Sequence, residues 1–173
     1  MKNLKIEIIP EQGLIINGRS VLFGSSKSEA EGFFGAPEVV RNSFYYFNNE
    51  MRLDFDEKGE LEFIEFLGGI DAFIKPEIYG ISVFDTLEDI VYGTLIEHNG
   101  KDNVKSENGY SYIFGNISVG IFREIKPSDF NEILKEMKKN GIPFENCPDL
   151  QKDKQIALHW PTIGFGKKGY YNR

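Results

Sequence analysis

Three groups of residues in this sequence have types and spacings that could do chemistry. The first is Gly164-Phe165-Gly166-Lys167-Lys168-Gly169, which spells GxGxxG. In dinucleotide-binding folds that spacing opens a helix whose N-terminus holds a pyrophosphate, with an acidic residue about twenty positions on. Only four residues follow Gly169, so the expectation is a glycine-rich turn joining two terminal strands. Lys167 and Lys168 would be its only aids to anion binding. The second group is the acidic set Asp54, Asp56, Glu60, Glu62 and Glu65. Close carboxylates can bind a hard cation or divide acid and base roles, but along a strand they are more often a solvated face that discourages edge pairing. Asp54 is expected to face Glu62 or Glu60 across a hairpin, with Arg52 offsetting part of the charge. The third group is His98, His159 and Cys147. Two histidines without further ligands at a recognisable spacing do not make a zinc site, and a Cys147–His159 nucleophile pair has no supporting motif. The sequence contains no nucleophile elbow, phosphate-binding P-loop, HExxH or calcium loop. No metal or cofactor is therefore expected.

The acids sit in a stretch, Phe44 to Phe66, whose pattern fixes how they are held. Met51, Leu53 and Phe55 alternate with Arg52, Asp54 and Asp56, and Leu61 and Phe63 alternate with Glu60 and Glu62. A period of two marks strands with one buried and one wet face. Asp56-Glu57-Lys58-Gly59 suits a hairpin loop, and Asn48-Asn49 a second turn, since Asn tolerates the left-handed region. The result is a three-stranded meander that needs a covering layer. Ser26-x-x-Glu29 fits a capping box opening a short helix to about Phe34, closed by Gly35 and Pro37. Ala30, Phe33 and Phe34 would face the sheet.

A weaker copy follows. Leu22 falls on Val83 and Phe23 on Phe84 at an offset of 61. Tyr46 falls on Tyr112, Met51 on Ile117, Leu53 on Val119 and Phe55 on Ile121 at an offset of 66. Thr86-x-x-Asp89 would cap the second helix, and Glu97–Asn108 would be a long polar loop. The expected fold class is α+β: an antiparallel sheet from two tandem (strand)-helix-meander repeats, with short helices on one face. Within a single domain, 1–173, the halves span 14–67 and 78–125, with a C-terminal extension 126–173. The extension carries a longer helix over about 128–140, capped by Ser128. Beyond it are a loop over Phe144–Asp153 and short strands at Gln155–Trp160 and Thr162–Phe165.

The 173 residues carry a formal net charge of −7. This argues against nucleic acid and against an anionic membrane surface as partners, because both draw affinity from a basic face. No apolar run has the length of a membrane span. Cys147 is the single cysteine, the N-terminal stretch lacks a signal-peptide core, and the expected compartment is the cytoplasm. The composition suggests an AT-rich bacterial genome.

The order of helix then meander at Ser26–Phe66 and Leu87–Arg123 resembles the architecture of the β-lactamase inhibitor protein and related small bacterial domains. A small acidic chain with an aromatic-rich sheet is also similar in character to immunity proteins that neutralise bacterial toxins. These resemblances imply a non-catalytic module that docks a basic protein partner. The residues assigned to binding are Arg52, Asp54, Glu60 and Glu62, which the second copy lacks, together with Trp160 and Tyr171, aromatics of the kind that anchor interfaces. Two alternatives stand beside this: a small hydrolase using hairpin carboxylates with His98 or His159, and a structural homodimer pairing strand edges.

Overall fold

The computed structural model describes residues 4–172, and it is α+β. Strand β1 (Ile6–Ile9) leads. Each half then repeats one order: a hairpin, a helix and an antiparallel meander. In the first half these are β2 (Gly13–Ile16), β3 (Arg19–Leu22), α1 (Lys27–Phe34), β4 (Glu38–Val40), β5 (Ser43–Tyr46), β6 (Met51–Phe55) and β7 (Leu61–Leu67). In the second they are β8 (Pro76–Ile78), β9 (Ile81–Ser82), α2 (Glu88–Asn99), β10 (Val104–Glu107), β11 (Ser111–Phe114) and β12 (Val119–Phe122). Helices α3 (Pro127–Lys139) and α4 (Pro148–Ala157) intervene before β13 (Thr162–Gly166) completes the second meander. Residues 126–173 are thus more than an extension, since they supply that fourth strand.

The large sheet has the order β10-β11-β12-β13-β7-β6-β5-β4, symmetric about the antiparallel β13–β7 pair. The two meanders therefore share one continuous sheet. A second sheet, β3-β2-β1-β8-β9, was not expected. It inserts β1 between the two hairpins and pairs it parallel to β8.

Strand register sorts the large sheet into two unlike faces. Phe44, Tyr46, Met51, Leu53, Ile64, Phe66, Ile163, Phe165, Val119, Ile121 and Phe114 lie on one face and are buried. This inner face packs against the small sheet, whose Ile6, Ile8, Leu14 and Ile78 join the same core. Phe23 meets Phe165 edge-on at 5.9 Å. Both short helices also pack here, as expected: Phe34 lies 5.1 Å from Tyr46, and Tyr92 lies 4.7 Å from Tyr112.

Local chemistry explains most boundaries. The capping box is present, with Ser26 N donating to Glu29 at 2.7 Å and Glu29 N donating to Ser26 Oγ at 3.3 Å. Hydrogen bonds from the Ser26 backbone and hydroxyl hold the Glu29 carboxyl below its usual range. Asn48 and Asn49 take φ of 56° and 67° in their turn. Other boundaries moved. Thr86 does not cap α2, which starts at Glu88 behind Leu87 with no side-chain cap. The helix runs into the expected polar loop because Leu95 and Asn99 extend its buried side, and the Asn99 carboxamide ties its end to Gly100 O, Asp102 O and Asn116 N. Ser128 does not cap α3. Pro127 occupies the first helical position, where no N–H is required, and Asp129 accepts from Lys126 N at 3.0 Å. Helix α4 replaces the expected loop and strand over Phe144–Trp160; Pro148 at its start and Asp149 in its first turn outweigh the apparent alternation at Gln155–Trp160.

Candidate functional site

The outer face of the large sheet is where sequence-assigned residues come together. Its central strands carry glycines: Gly120 pairs directly with Gly164 across β12–β13, and Gly166 lies two residues on. Strand positions without side chains leave a trough. The chain fills it by turning at Gly169 (φ 76°) into the 3-10 turn Tyr170–Asn172. A Cβ on Gly120 would stand 2.7 Å from Tyr171 Oη, and one on Gly166 would stand 2.4 Å from Tyr170. Gly169 N donates to Ser118 Oγ at 3.0 Å, and Lys105 Nζ donates to Tyr171 O at 3.3 Å, fastening the segment down. The GxGxxG run is therefore a central strand followed by an aromatic cover. Lys167 is committed to Asp56 at 2.8 Å and Glu62 at 3.4 Å and is not available to an anion, which leaves only the exposed Lys168.

From Tyr171 an unbroken set of contacts leads to the hairpin. Phe63 stacks on Tyr170 at 4.7 Å and meets Tyr171 edge-on at 6.2 Å. The Arg52 guanidinium lies 5.4 Å from the Phe63 ring centre. Arg52 reaches Asp54 and Glu65, each at 2.9 Å. Burial pushes the Glu65 carboxyl above its usual range, with Arg52 opposing the shift. Burial likewise drives the Tyr171 phenol well up, so it stays protonated at neutral pH.

The hairpin acids do not form one patch. A bulge between Asp54 and Phe55 shifts the register, so Asp54 opposes Phe63 and Arg52 opposes Glu65. Asp54 thus faces neither Glu62 nor Glu60. The bulge leaves Glu62 without a cross-strand partner on β6, and it lies with Asp56 on Lys167. Glu60 is exposed near the start of α1, in an isolated bridge with Ser26. Of the six assigned residues, the outer face gathers Arg52, Asp54 and Tyr171. Trp160 is no surface anchor: it is fully buried, its Nε1 donates to Glu88 O at 2.9 Å, and Arg123 lies 4.2 Å from its ring.

Residues that sequence reasoning missed include Phe63 and Tyr170 on this face, and the buried Arg123, while Glu65, one of the acids named from the sequence, gains its place here through Arg52. The Arg52–Glu65 pair becomes readable only once the bulge fixes the register. The histidines lie apart from the hairpin acids. His98 stacks on Tyr79 at 3.5 Å with Nδ1 against Thr94 O, and His159 Nδ1 sits against Gln155 O. Cys147 and His159 flank opposite ends of the ten-residue α4, which spans about 15 Å at 1.5 Å per residue. Among the described residues, no group of three or more His, Cys, Asp or Glu could hold a metal ion. Among the described residues, no helix is long and apolar enough to cross a membrane. Compared with known proteins, the chain matches no family model, and no curated protein or solved structure matches it.

Proposed function

We propose that this chain is a non-catalytic binding module that docks a basic protein partner on the outer face of its eight-stranded sheet. The observation that carries the reading is the contrast between the faces. Along its central strands the inner face buries Phe44, Tyr46, Met51, Leu53, Ile64, Phe66, Ile163, Phe165, Val119 and Ile121, while Ser43, Tyr45, Arg52, Asp54, Glu65, Leu67, Thr162 and Ser111 on the outer face are half-buried and Phe122 is exposed. A large sheet with one side half-open offers a rigid, nearly preformed docking platform. The paired strands place Glu38, Asp54, Glu65 and Glu107 there against Arg52 and Lys105, a local acidic excess that would steer a basic partner. Inhibition of a basic toxin, as by an immunity protein, is the specific form of this reading, and the cytoplasm its expected compartment.

The hydrolase alternative is weakened because Asp54 and Glu65 are engaged by Arg52, Asp56 and Glu62 by Lys167, Glu60 stands exposed, and the histidines stack or bond elsewhere. The homodimer alternative keeps one favourable observation: edge strand β4 is exposed throughout, with Val39 at 55% and Val40 at 48% exposure. The test is affinity capture from the source cells at low salt, with native mass determination. The reading predicts a 1:1 complex with a basic protein, lost in Glu38→Lys/Asp54→Asn. A doubled mass of the chain alone would favour the dimer instead.

A further inference from the structure

Where the outer face ends at β12 and β13, it runs into a groove of about 510 Å³ bordered by α4, a size within the usual range for recognition pockets, roughly 300–1,000 Å³. Phe122, Ile125, Ile156 and Pro161 give it an apolar lining. Phe122 is 45% exposed, unusual for a phenylalanine in a sheet row. A second recess of about 370 Å³ shares Phe122, Arg123 and Glu124 and extends the groove toward Tyr110 and Glu107.

The rim is acidic, with Lys152 beside Asp153 and Lys105 two residues from Glu107 on β10 as its neighbouring cations. Glu124 and Asp153 border the main groove and Glu107 the recess, and none of the three makes an ion pair among the described residues. The nearby cations are all engaged. Arg123 is buried against Glu88 at 3.0 Å. Lys126 lies over Tyr110 and donates to Asn108 O. Lys152 binds Asp71 at 2.9 Å. An apolar floor with three free carboxylates on its rim complements one chemistry: an apolar side chain flanked by Lys or Arg.

Resting on the docking function above, we infer that this groove receives an extended basic segment of the partner, with one aliphatic or aromatic side chain seated on Phe122 and Ile156 and its cations against Glu107, Glu124 and Asp153. Seating the apolar residue desolvates the floor, and the flanking charges set its position and encounter rate.

The test uses the full chain, ¹⁵N-labelled and titrated with a synthetic peptide, Lys-Arg-Lys-Leu-Lys-Arg-Lys, and with the same peptide carrying Gly for Leu. The expected result is amide shifts concentrated at 122–125, 153–156 and 162. Affinity should fall at least tenfold in Glu124→Lys/Asp153→Lys and severalfold for the Gly peptide. Equal binding of both peptides, shifts scattered over other acidic surface, or indifference to the groove variant overturns the inference. The Glu38→Lys/Asp54→Asn variant runs in parallel. If partner capture responds to that variant and not to the groove variant, the docking function stands and the groove does not. If neither variant alters capture, both fall.

Discussion

Arg123 ties three parts of the chain together, and its loss should destabilise the molecule. It is 6% exposed. It donates to Gly109 O at 3.0 Å, pairs with Glu88 at 3.0 Å and lies over Trp160 at 4.2 Å, joining the start of α2 to the strands on either side of the α3–α4 excursion. Replacing it with Met keeps the aliphatic bulk and strands Glu88. Breaking a buried pair from one side costs about 3–5 kcal/mol. The Glu88 side chain is 25% exposed and can recover some hydration, so the low end applies, about 3 kcal/mol including the ring contact. For a chain of this length that is a fall in Tm of roughly 6–12 °C. Glu88→Gln strands Arg123 in turn, while the double variant removes both charges and should be milder than the sum, with a coupling of about 2 kcal/mol. Urea unfolding followed by circular dichroism and by fluorescence measures this, and Trp160, the only tryptophan, reports from the junction itself. A cost below about 1 kcal/mol for Arg123→Met, or a cycle additive within about 0.5 kcal/mol, would refute the reasoning.

Three further outcomes follow from specific contacts. The Tyr46 hydroxyl is buried without a hydrogen-bond partner among the described residues, and burial, with Glu31 adding to it, raises its pKa to about 12. A raised phenol contributes stability below its unfolded pKa of about 10 and loses it as pH climbs through 12, so alkaline urea titrations should show a decline in the wild type that Tyr46→Phe lacks. That variant should be neutral or stabilising by about 1 kcal/mol at pH 7. The Asp56 carboxyl is held at about 2, chiefly by Lys167 and then by the Glu60 backbone N–H. Its contribution is present above the unfolded value of about 3.9 and is lost as pH falls through 2, so the stability gap between wild type and Lys167→Met should close between about pH 4 and 2; a constant gap contradicts it. Gly120→Ala should cost about 1–3 kcal/mol by overpacking in the wild type but almost nothing in a Tyr171→Ala background, because Tyr171 Oη and Cζ are the atoms that its Cβ would meet first; equal costs in thermal melts would show that Tyr171 does not cover the trough.

Elements governed by local chemistry were legible in the sequence. The capping box, the Asn48-Asn49 turn, the first meander and the helices packed on one face follow from spacing and from residues with one strong preference. What was not legible depended on distant partners. Strand β13 reads as a terminal strand because nothing local says that it lies between β12 and β7. The bulge at Asp54 and Phe55 leaves no mark in the alternation, yet it decides which acids share a face and splits the set that looked uniform. Trp160 reads from its type either as an interface anchor or as a residue closing the core, and the structure takes the core reading: the Glu88 carbonyl accepts the hydrogen bond that a buried indole needs, with Arg123 over the ring. Helix α4 was obscured because Gln155–Trp160 alternates for a few residues while its start signals lie several residues upstream.

Docking on the outer face is tested most directly by the affinity of the captured partner for the wild type and for Glu38→Lys/Asp54→Asn, measured by calorimetry at low and high salt. Docking on the outer face predicts at least a tenfold loss in the variant, about 1.4 kcal/mol, and a salt dependence shallower than that of the wild type. Equal affinities with the same salt dependence would place the partner elsewhere and contradict the account.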